Sequence, residues 1–352
     1  MTASPASAHD DAHHHALSAH DIGRFTFEDD TIVEEAGFTF RLVRPDGASD
    51  GLVIICPSLT GTPVILEEWW RDVGAPRALQ RYTTLYAHGF TPRTVAHCDR
   101  HAPPTIRDVA RGIVALARAL GLPTATFTTG GSMGGMIALE VAIESGAPTH
   151  ALVLAAPAVQ TAWGAGWNMI QLQALVIGGP EAGLSLARAV GMMTYRTEQE
   201  FEQRFGHDAA ARDGRTIDGY LRHHARKLIA RFDAVEYERR VRAMDTMDVG
   251  RGRGGWRAAL QPHAERLHAV GFVGDALYSA GIVEQWTKEV GARFTAVHSV
   301  HGHDAFLLER GAMRDVIADA FERACQSGAA AVRMTAVPGG VAESVAQPLR
   351  NG

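Results

Sequence analysis

The chain has 352 residues, 46% of them hydrophobic, enough for one large core with an accessory layer or for two domains. Its formal net charge of −5 argues against nucleic acid as the main partner, because phosphate backbones demand concentrated positive charge. Three cysteines (Cys56, Cys98 and Cys325) without metal-ligand spacing point to free thiols in a reducing compartment.

In chain order, residues 1–22 read as a disordered tail. The opening is His-rich but has almost nothing apolar to bury, and it lacks both a basic n-region and an apolar h-region, so it is not a signal peptide. No apolar run is long enough to cross a bilayer, so no membrane partner is expected and the cytoplasm is the expected location. "RFTFEDD" and "FTFRLVRP" alternate like strands, and "GLVIICPS" (51–58) is a continuous β-rich run, as in a strand buried on both faces. "YTTLYAHG" (82–89) reads as a further strand. The segment "PPTIRDVARGIVALARALGL" predicts a helix: Thr105 caps it, Asp108 lies in its first turn, Ile106, Val109, Ile113, Leu116 and Leu120 share one stripe, and Gly121 stops it. "TATFTTG" is the next strand, "SMGGMIALEVAIESG" a helix, and "HALVLAAP" another buried strand.

This alternation predicts an α/β domain with a mostly parallel sheet and helices on both faces. From about 159 to 257 the strands vanish and helical patterns take over. "GRGRGGWR" (250–257) reads as a solvated, glycine-rich connector. The β pattern resumes at "HAVGFVGD" and "RFTAVHSV", and a last helix is expected over about 304–327. The expected organisation is therefore a core from 23–158 and 258–328, a helical lid inserted at 159–257, and a second disordered tail from 329 to 352. No internal repeat is evident.

Gly130-Gly131-Ser132-Met133-Gly134 fits G-x-S-x-G with a strand before it and a helix after it. In such an elbow the serine takes a strained conformation at a sharp turn, its hydroxyl stands above the sheet edge, and free helix N–H groups face developing negative charge. A nucleophilic serine needs a base, and the base an orienting acid, in the chain order Ser, Asp or Glu, His. Asp275 follows one late strand. His301 and His303 follow the next. His-x-His is also half of a metal site, but no second ligand cluster accompanies it, so no metal is expected. Ser132, Asp275 and His303 are therefore the candidate triad, with His301 a surface residue. The backbone amides of Met133 and of Leu59, in "PSLTGTP", are the candidate oxyanion hole.

"GGSMGGM", "ARAVGMMTYRT", "RFGH", "RFDAVEY", "AMDTMDV" and "HGHDAFLLE", in this order, resemble the homoserine O-acetyltransferase family. The resemblance covers most of the chain. It implies an α/β-hydrolase fold with a helical lid, and transfer of an acetyl or similar acyl group from CoA to the hydroxyl of homoserine or a related hydroxy-amino acid. It implies no permanently bound cofactor, acetyl-CoA or another acyl-CoA as co-substrate, small-molecule partners only, and a homodimer through the lid. It maps the catalytic roles onto Ser132, Asp275 and His303. The family's substrate-binding residues match Arg188, for the substrate carboxylate, with Tyr195 beside it and Asp304 for the amino group. Pro57, Ser58 and Val235 depart from the family pattern, and "AHGFTPRTVAHCDRHAPP" is shorter than the glycine-rich segment usual there. A serine esterase on the same scaffold is the alternative reading.

Overall fold

The structure, a computed structural model, describes residues 17–98, 102–207 and 216–335, with only the backbone of 98 and 328–335. The His-rich opening, the side chain of Cys98 and the C-terminal end after Thr335 lie outside the described residues.

Among the described residues there are ten strands: β1 (Ser18–Asp21), β2 (Phe25–Thr26), β3 (Ile32–Val33), β4 (Gly37–Val43), β5 (Leu52–Ile55), β6 (Thr83–Phe90), β7 (Ala125–Gly131), β8 (His150–Leu154), β9 (Leu267–Val273) and β10 (Arg293–His298). Eight form one sheet in the order β1-β4-β6-β5-β7-β8-β9-β10, while β2 and β3 form a small separate ribbon. The β1–β4 and β4–β6 pairs are antiparallel, and from β6 to β10 every pair is parallel.

The expected buried strand at 51–58 is β5, fully buried along its length. Leu52 and Ile54 face one apolar layer and Val53 and Ile55 the other, which is the two-residue alternation of a sheet covered on both sides. One layer is completed by α1 (Pro63–Val73) and α2 (Pro76–Arg81), through Trp69, Trp70 and Ala78. After α3 (Pro92–Cys98) come α4 (Ile106–Ala119) and α5 (Met133–Glu144), which line the opposite layer. The cap of α4 is as expected: the Thr105 side chain accepts from the Asp108 amide at 3.0 Å, and Asp108 answers at the Thr105 amide, also at 3.0 Å.

The lid comprises α6 (Ala162–Gly178), α7 (Leu184–Tyr195), α8 (Glu198–Phe205), α9 (Ile217–Ile229) and α10 (Ala234–Asp245), with one π-helical turn at Gly179–Gly183. Its two ends meet. Val159 and Asp248 form an antiparallel bridge, flanked by Gln160 N–H donating to Met247 O at 2.8 Å and Val249 N–H to Ala158 O at 3.2 Å. Beyond this neck come α11 (Trp256–Leu260), α12 (Ala280–Val290), the short α13 (Ala305–Leu308) and α14 (Arg310–Thr335), whose Met313, Ile317 and Phe321 close the α1 side of the sheet.

Three expectations change. Ser18–Asp21 pairs with β4, so the sheet begins inside the segment expected to be tail. The last helix runs to Thr335, past the expected end near 327. The glycine-rich connector is not merely solvated: Arg253 donates to Glu140 of α5 at 2.9 Å and pairs with Glu144, while Arg251 pairs with Glu28 at 2.7 Å. Arg107 joins Glu28 at 2.8 Å to Glu140 at 3.3 Å. Glu140 is 1% exposed, so its charge is held in the interior only because two guanidiniums reach it.

Candidate active site

The candidate residues gather at the rim formed by the C-terminal ends of the parallel strands. Ser132 stands between β7 and α5 with φ 58° and ψ −122°, a left-handed conformation that a side chain adopts only under constraint. Its amide is anchored to Leu154 O at 2.9 Å. The glycines around it are required by close approach. A Cβ at Gly134 would lie 2.6 Å from the Cys56 carbonyl oxygen, and one at Gly131 would lie 2.3 Å from the Phe306 ring. Met133 begins α5 without a side-chain cap above it, and its amide donates to no backbone group among the described residues.

Asp275 follows β9 and His303 lies in the turn after β10. One Asp275 oxygen accepts from the amides of Leu277 at 2.8 Å and Tyr278 at 2.9 Å. Its other oxygen accepts from His303 Nδ1 at 2.7 Å. That bond places the proton on Nδ1 and leaves Nε2 as the basic nitrogen. Nε2 is buried and without a partner. Burial opposes a charge on the ring, yet the Asp275 carboxylate and Asp304 beyond it hold His303 above the ordinary histidine value. The ring is walled by Tyr195, Tyr278 and Phe306, at centroid distances of 5.6, 5.7 and 6.0 Å. Phe306 therefore touches both the base and the glycine preceding the serine. Ser132 and His303 do not share a hydrogen bond in this structure; nucleophile–base pairs often tighten only with substrate bound.

His301, the competing histidine, faces the lid instead: its Nδ1 lies 3.0 Å from Glu200 of α8.

The loop after β5 carries Leu59. Arg240 of α10 donates to the carbonyls of Ser58 and Leu59 at 3.3 Å and of Gly61 at 3.2 Å. Its remaining arm reaches His88 Nδ1 at 3.0 Å. Burial and the Arg240 charge push His88 down to about 3, so it stays neutral and accepts. Because a trans peptide points its C=O and N–H in opposite directions, holding the Ser58 carbonyl toward the lid turns the Leu59 N–H away from it.

Between this loop and the lid lies a cavity of about 130 Å³, lined by Ser58, Thr60, Gly130, Gly131, Arg188, Arg231 and Phe306. Arg188 and Tyr195 lie two turns apart on α7, with the guanidinium 5.7 Å from the ring centroid. Arg188 Nε is buried without a hydrogen-bond partner. Burial and the nearby Asp304 push the Tyr195 phenol up to about 12, against the opposing Arg188 charge, so it remains a donor. Asp304 sits beside Arg196, Nε to Oδ2 3.1 Å, rather than in an open wall. Burial raises its carboxyl above the usual range although Arg196, His303 and Arg188 pull the other way.

The sequence reading did not single out Arg231, Arg240 or His88. Arg240 sits four residues after Glu236, to which it donates at 2.6 Å, and such a pair ordinarily marks a solvent-facing stripe. Nothing in the spacing signals that this arginine is 6% exposed.

The homoserine O-acetyltransferase of Thermus thermophilus is 39% identical over 324 residues, covering 87% of this chain and 80% of that protein. The chain belongs to the homoserine O-acetyltransferase family. The homoserine O-acetyltransferase of Salinibacter ruber is 31% identical over 346 residues, covering 88% of this chain and 98% of its own length. Among solved structures, the homoserine O-acetyltransferase from Staphylococcus aureus superposes with a TM-score of 0.71 at 26% identity, over 86% of this chain and 94% of that one. An acetylester hydrolase from Corynebacterium glutamicum superposes with a TM-score of 0.75 over 87% of this chain and 96% of that one, but at 15% identity, which establishes the shared α/β-hydrolase fold alone. No family model matches the chain. The helical insertion that this homoserine O-acetyltransferase family member carries between β8 and β9 contributes Arg188 and Arg231 to the wall of the cavity. Among the described residues no helix is long and apolar enough to cross a membrane.

Proposed function

We propose that the protein transfers an acetyl group from acetyl-CoA to the hydroxyl of homoserine through an acyl-serine intermediate. Ser132 Oγ attacks the thioester carbonyl while His303 Nε2 takes its proton, and Asp275 fixes the ring's tautomer and steadies the imidazolium. The tetrahedral oxyanion rests on the amides of Met133 and Leu59. Collapse breaks the C–S bond, His303 returns the proton to the departing thiolate, and acetyl-Ser132 remains. Homoserine then enters, gives its hydroxyl proton to His303, and attacks the ester carbonyl. A second collapse releases Ser132, reprotonated by His303, and O-acetylhomoserine.

The observation that carries the choice of acceptor is Arg188. A guanidinium with a buried, unpartnered Nε in the wall of a cavity beside Gly130 and Gly131 suits a bidentate carboxylate, the one group every amino-acid acceptor brings. Tyr195 closes one side of that position. Asp304 lies next to the base, where a substrate ammonium would share it with Arg196. An acyl-enzyme has water as its rival acceptor, so transfer prevails only where the acceptor is held and water is kept out.

A homodimer through the lid completes this reading. Met169, Val176 and Ile177 on α6 and Leu186 and Met193 on α7 are all exposed, Ile177 at 83%, an apolar display that a soluble surface seldom leaves uncovered.

The test is a panel of acyl-CoA donors against homoserine, serine and related hydroxy-amino acids, with products identified by mass. O-Acetylhomoserine formation that accounts for the thiol released supports the proposal. Thiol release that ignores every hydroxy-amino acid would overturn it in favour of ester hydrolysis.

A further inference from the structure

The stretch from Gly219 to Phe232 contains no acidic residue and six basic ones: Arg222, His223, His224, Arg226, Lys227 and Arg231. In a chain of net charge −5 this is a local reversal of sign. It falls on α9 and the turn that continues it, where Ala225 and Leu228 are buried against the lid and Arg222, His223, Arg226, Lys227 and Arg231 are exposed. Arg222 is taken by Asp218 at 2.9 Å. Arg226, Lys227 and Arg231 pair with no carboxylate among the described residues.

His223 and Lys227 lie one turn apart on one face of α9, about 6 Å from each other, and Arg231 follows in the turn just past the helix, extending the stripe. The stripe has a direction. Its last member, Arg231, lines the 130 Å³ cavity together with Arg188 and donates to the Thr60 carbonyl at 2.9 Å. Basic residues in a last helical turn also complement the helix dipole, which accounts for Arg226 and Lys227. It does not account for a cation outside the helix, in the wall of the cavity and without a carboxylate. Arg231 keeps an exposed edge, but desolvation of its guanidinium in the cavity wall and the charges of Arg188 and Arg240 bring it down to about 10, still protonated at neutral pH and surrounded by surplus positive charge.

The size of the cavity makes the stripe relevant to catalysis. About 130 Å³, in a cavity that borders the nucleophile elbow at Gly130 and Gly131, is well under the volume of a pocket for a whole drug-sized ligand. The nucleotide end of a CoA thioester must therefore lie outside, on the surface by which the donor approaches. We propose that the exposed basic stripe of α9, entering the cavity at Arg231, binds the phosphate groups of the CoA donor. This rests on the acyltransferase reading above and adds to it the position of the donor's anionic end. Lysine and arginine suit phosphate oxygens through charge-assisted hydrogen bonds, and a stripe that leads inward also steers an anionic donor toward Ser132.

The test compares acetyl-CoA with S-acetyl-pantetheine, which has the same thioester but no phosphates, in wild type and Lys227→Glu. Lys227 is exposed, so the substitution leaves folding intact, to be checked by thermal melting. The expected result is a KM for acetyl-CoA raised about tenfold, with the KM for S-acetyl-pantetheine within about twofold of wild type. Adenosine 3′,5′-bisphosphate should compete with acetyl-CoA in wild type and lose affinity in the variant. Raising the salt concentration should raise the acetyl-CoA KM and leave that of S-acetyl-pantetheine unmoved. Unchanged KM for both donors would overturn the stripe while leaving acyl transfer standing, as would an equal rise for both. Failure of the wild type to acetylate homoserine from either donor would overturn the acyltransferase reading itself, and the stripe with it.

Discussion

Arg240, on the lid, donates to the main-chain carbonyl of Leu59, on the core, at 3.3 Å. The same guanidinium holds the carbonyls of Ser58 and Gly61, so a lid residue sets the orientation of a core loop whose amide is assigned to the oxyanion. Replacing Arg240 with methionine is expected to slow acylation of Ser132 by about 10–100-fold, less than outright loss of an oxyanion donor. The KM for homoserine should hold, since Arg188 is untouched. Arg240→Lys should recover part of the rate. Stopped-flow acylation with homoserine saturation curves measures both; a uniform fall in stability with unchanged acylation would remove Arg240 from this role.

Arg188 should divide the two half-reactions. In Arg188→Ala, formation of acetyl-Ser132 from acetyl-CoA should stay within about threefold of wild type, while deacylation by homoserine falls about 100-fold or more with loss of the bidentate pair. Single-turnover mass spectrometry of the acyl-enzyme reads each step. Equal losses in both would contradict the assignment of Arg188 to the acceptor.

The pH profile follows from His303. The base acts when neutral, and its native value lies above the ordinary 6.5 because Asp275 and Asp304 outweigh burial. kcat/KM should therefore fall as pH drops, with its midpoint above 6.5. In stability the sign reverses: the charged ring's pairing with Asp275 contributes fully below about 6.5 and is lost as pH rises through the raised native value. Asp275→Asn should lower the kinetic midpoint and cost about 10⁴-fold in rate by favouring the wrong tautomer. A midpoint that stays in place in Asp275→Asn would show that another group sets it.

Arg253 and Glu140 tie the segment after the lid to the helix that starts at the nucleophile. Arg253→Met should destabilise the protein by roughly 3 kcal/mol, the low end for breaking a buried ion pair, because Arg107 remains beside Glu140. Urea unfolding measures it, and Arg253→Met/Glu140→Gln should regain much of the loss.

Ile177, at 83% exposure, is the most exposed residue of the apolar display on the lid. Ile177→Asp should convert a dimer into a monomer by light scattering at micromolar concentration without altering the circular dichroism. A wild-type monomer would reject the dimer.

Much of the core was legible in the sequence because its determinants are local. The Thr105–Asp108 cap, the alternating faces of Leu52–Ile55 and the glycine-flanked Ser132 each depend on neighbours within a few residues. Asp275 and His303 were reachable because strand ends are where such a fold collects its reactive groups. Ser18–Asp21 was not, since an edge strand with mostly exposed side chains has no apolar alternation to display. In α1 the apolar residues Leu66, Trp69, Trp70 and Val73 do carry helical spacing, but the segment follows directly on a Pro-containing loop that obscures its start. Arg240 and Ser58 are 182 residues apart, and no periodicity records a contact made only in the tertiary fold.

The bridge between Val159 and Asp248 makes the lid topologically detachable. Both its ends meet at this bridge, so the sheet and helices beneath would present the same two anchor points whatever lay between them. Chimeras that graft a different helical cap onto this neck should exchange the alcohol that is accepted, and should keep the acylation chemistry only where the new cap supplies a counterpart of Arg240.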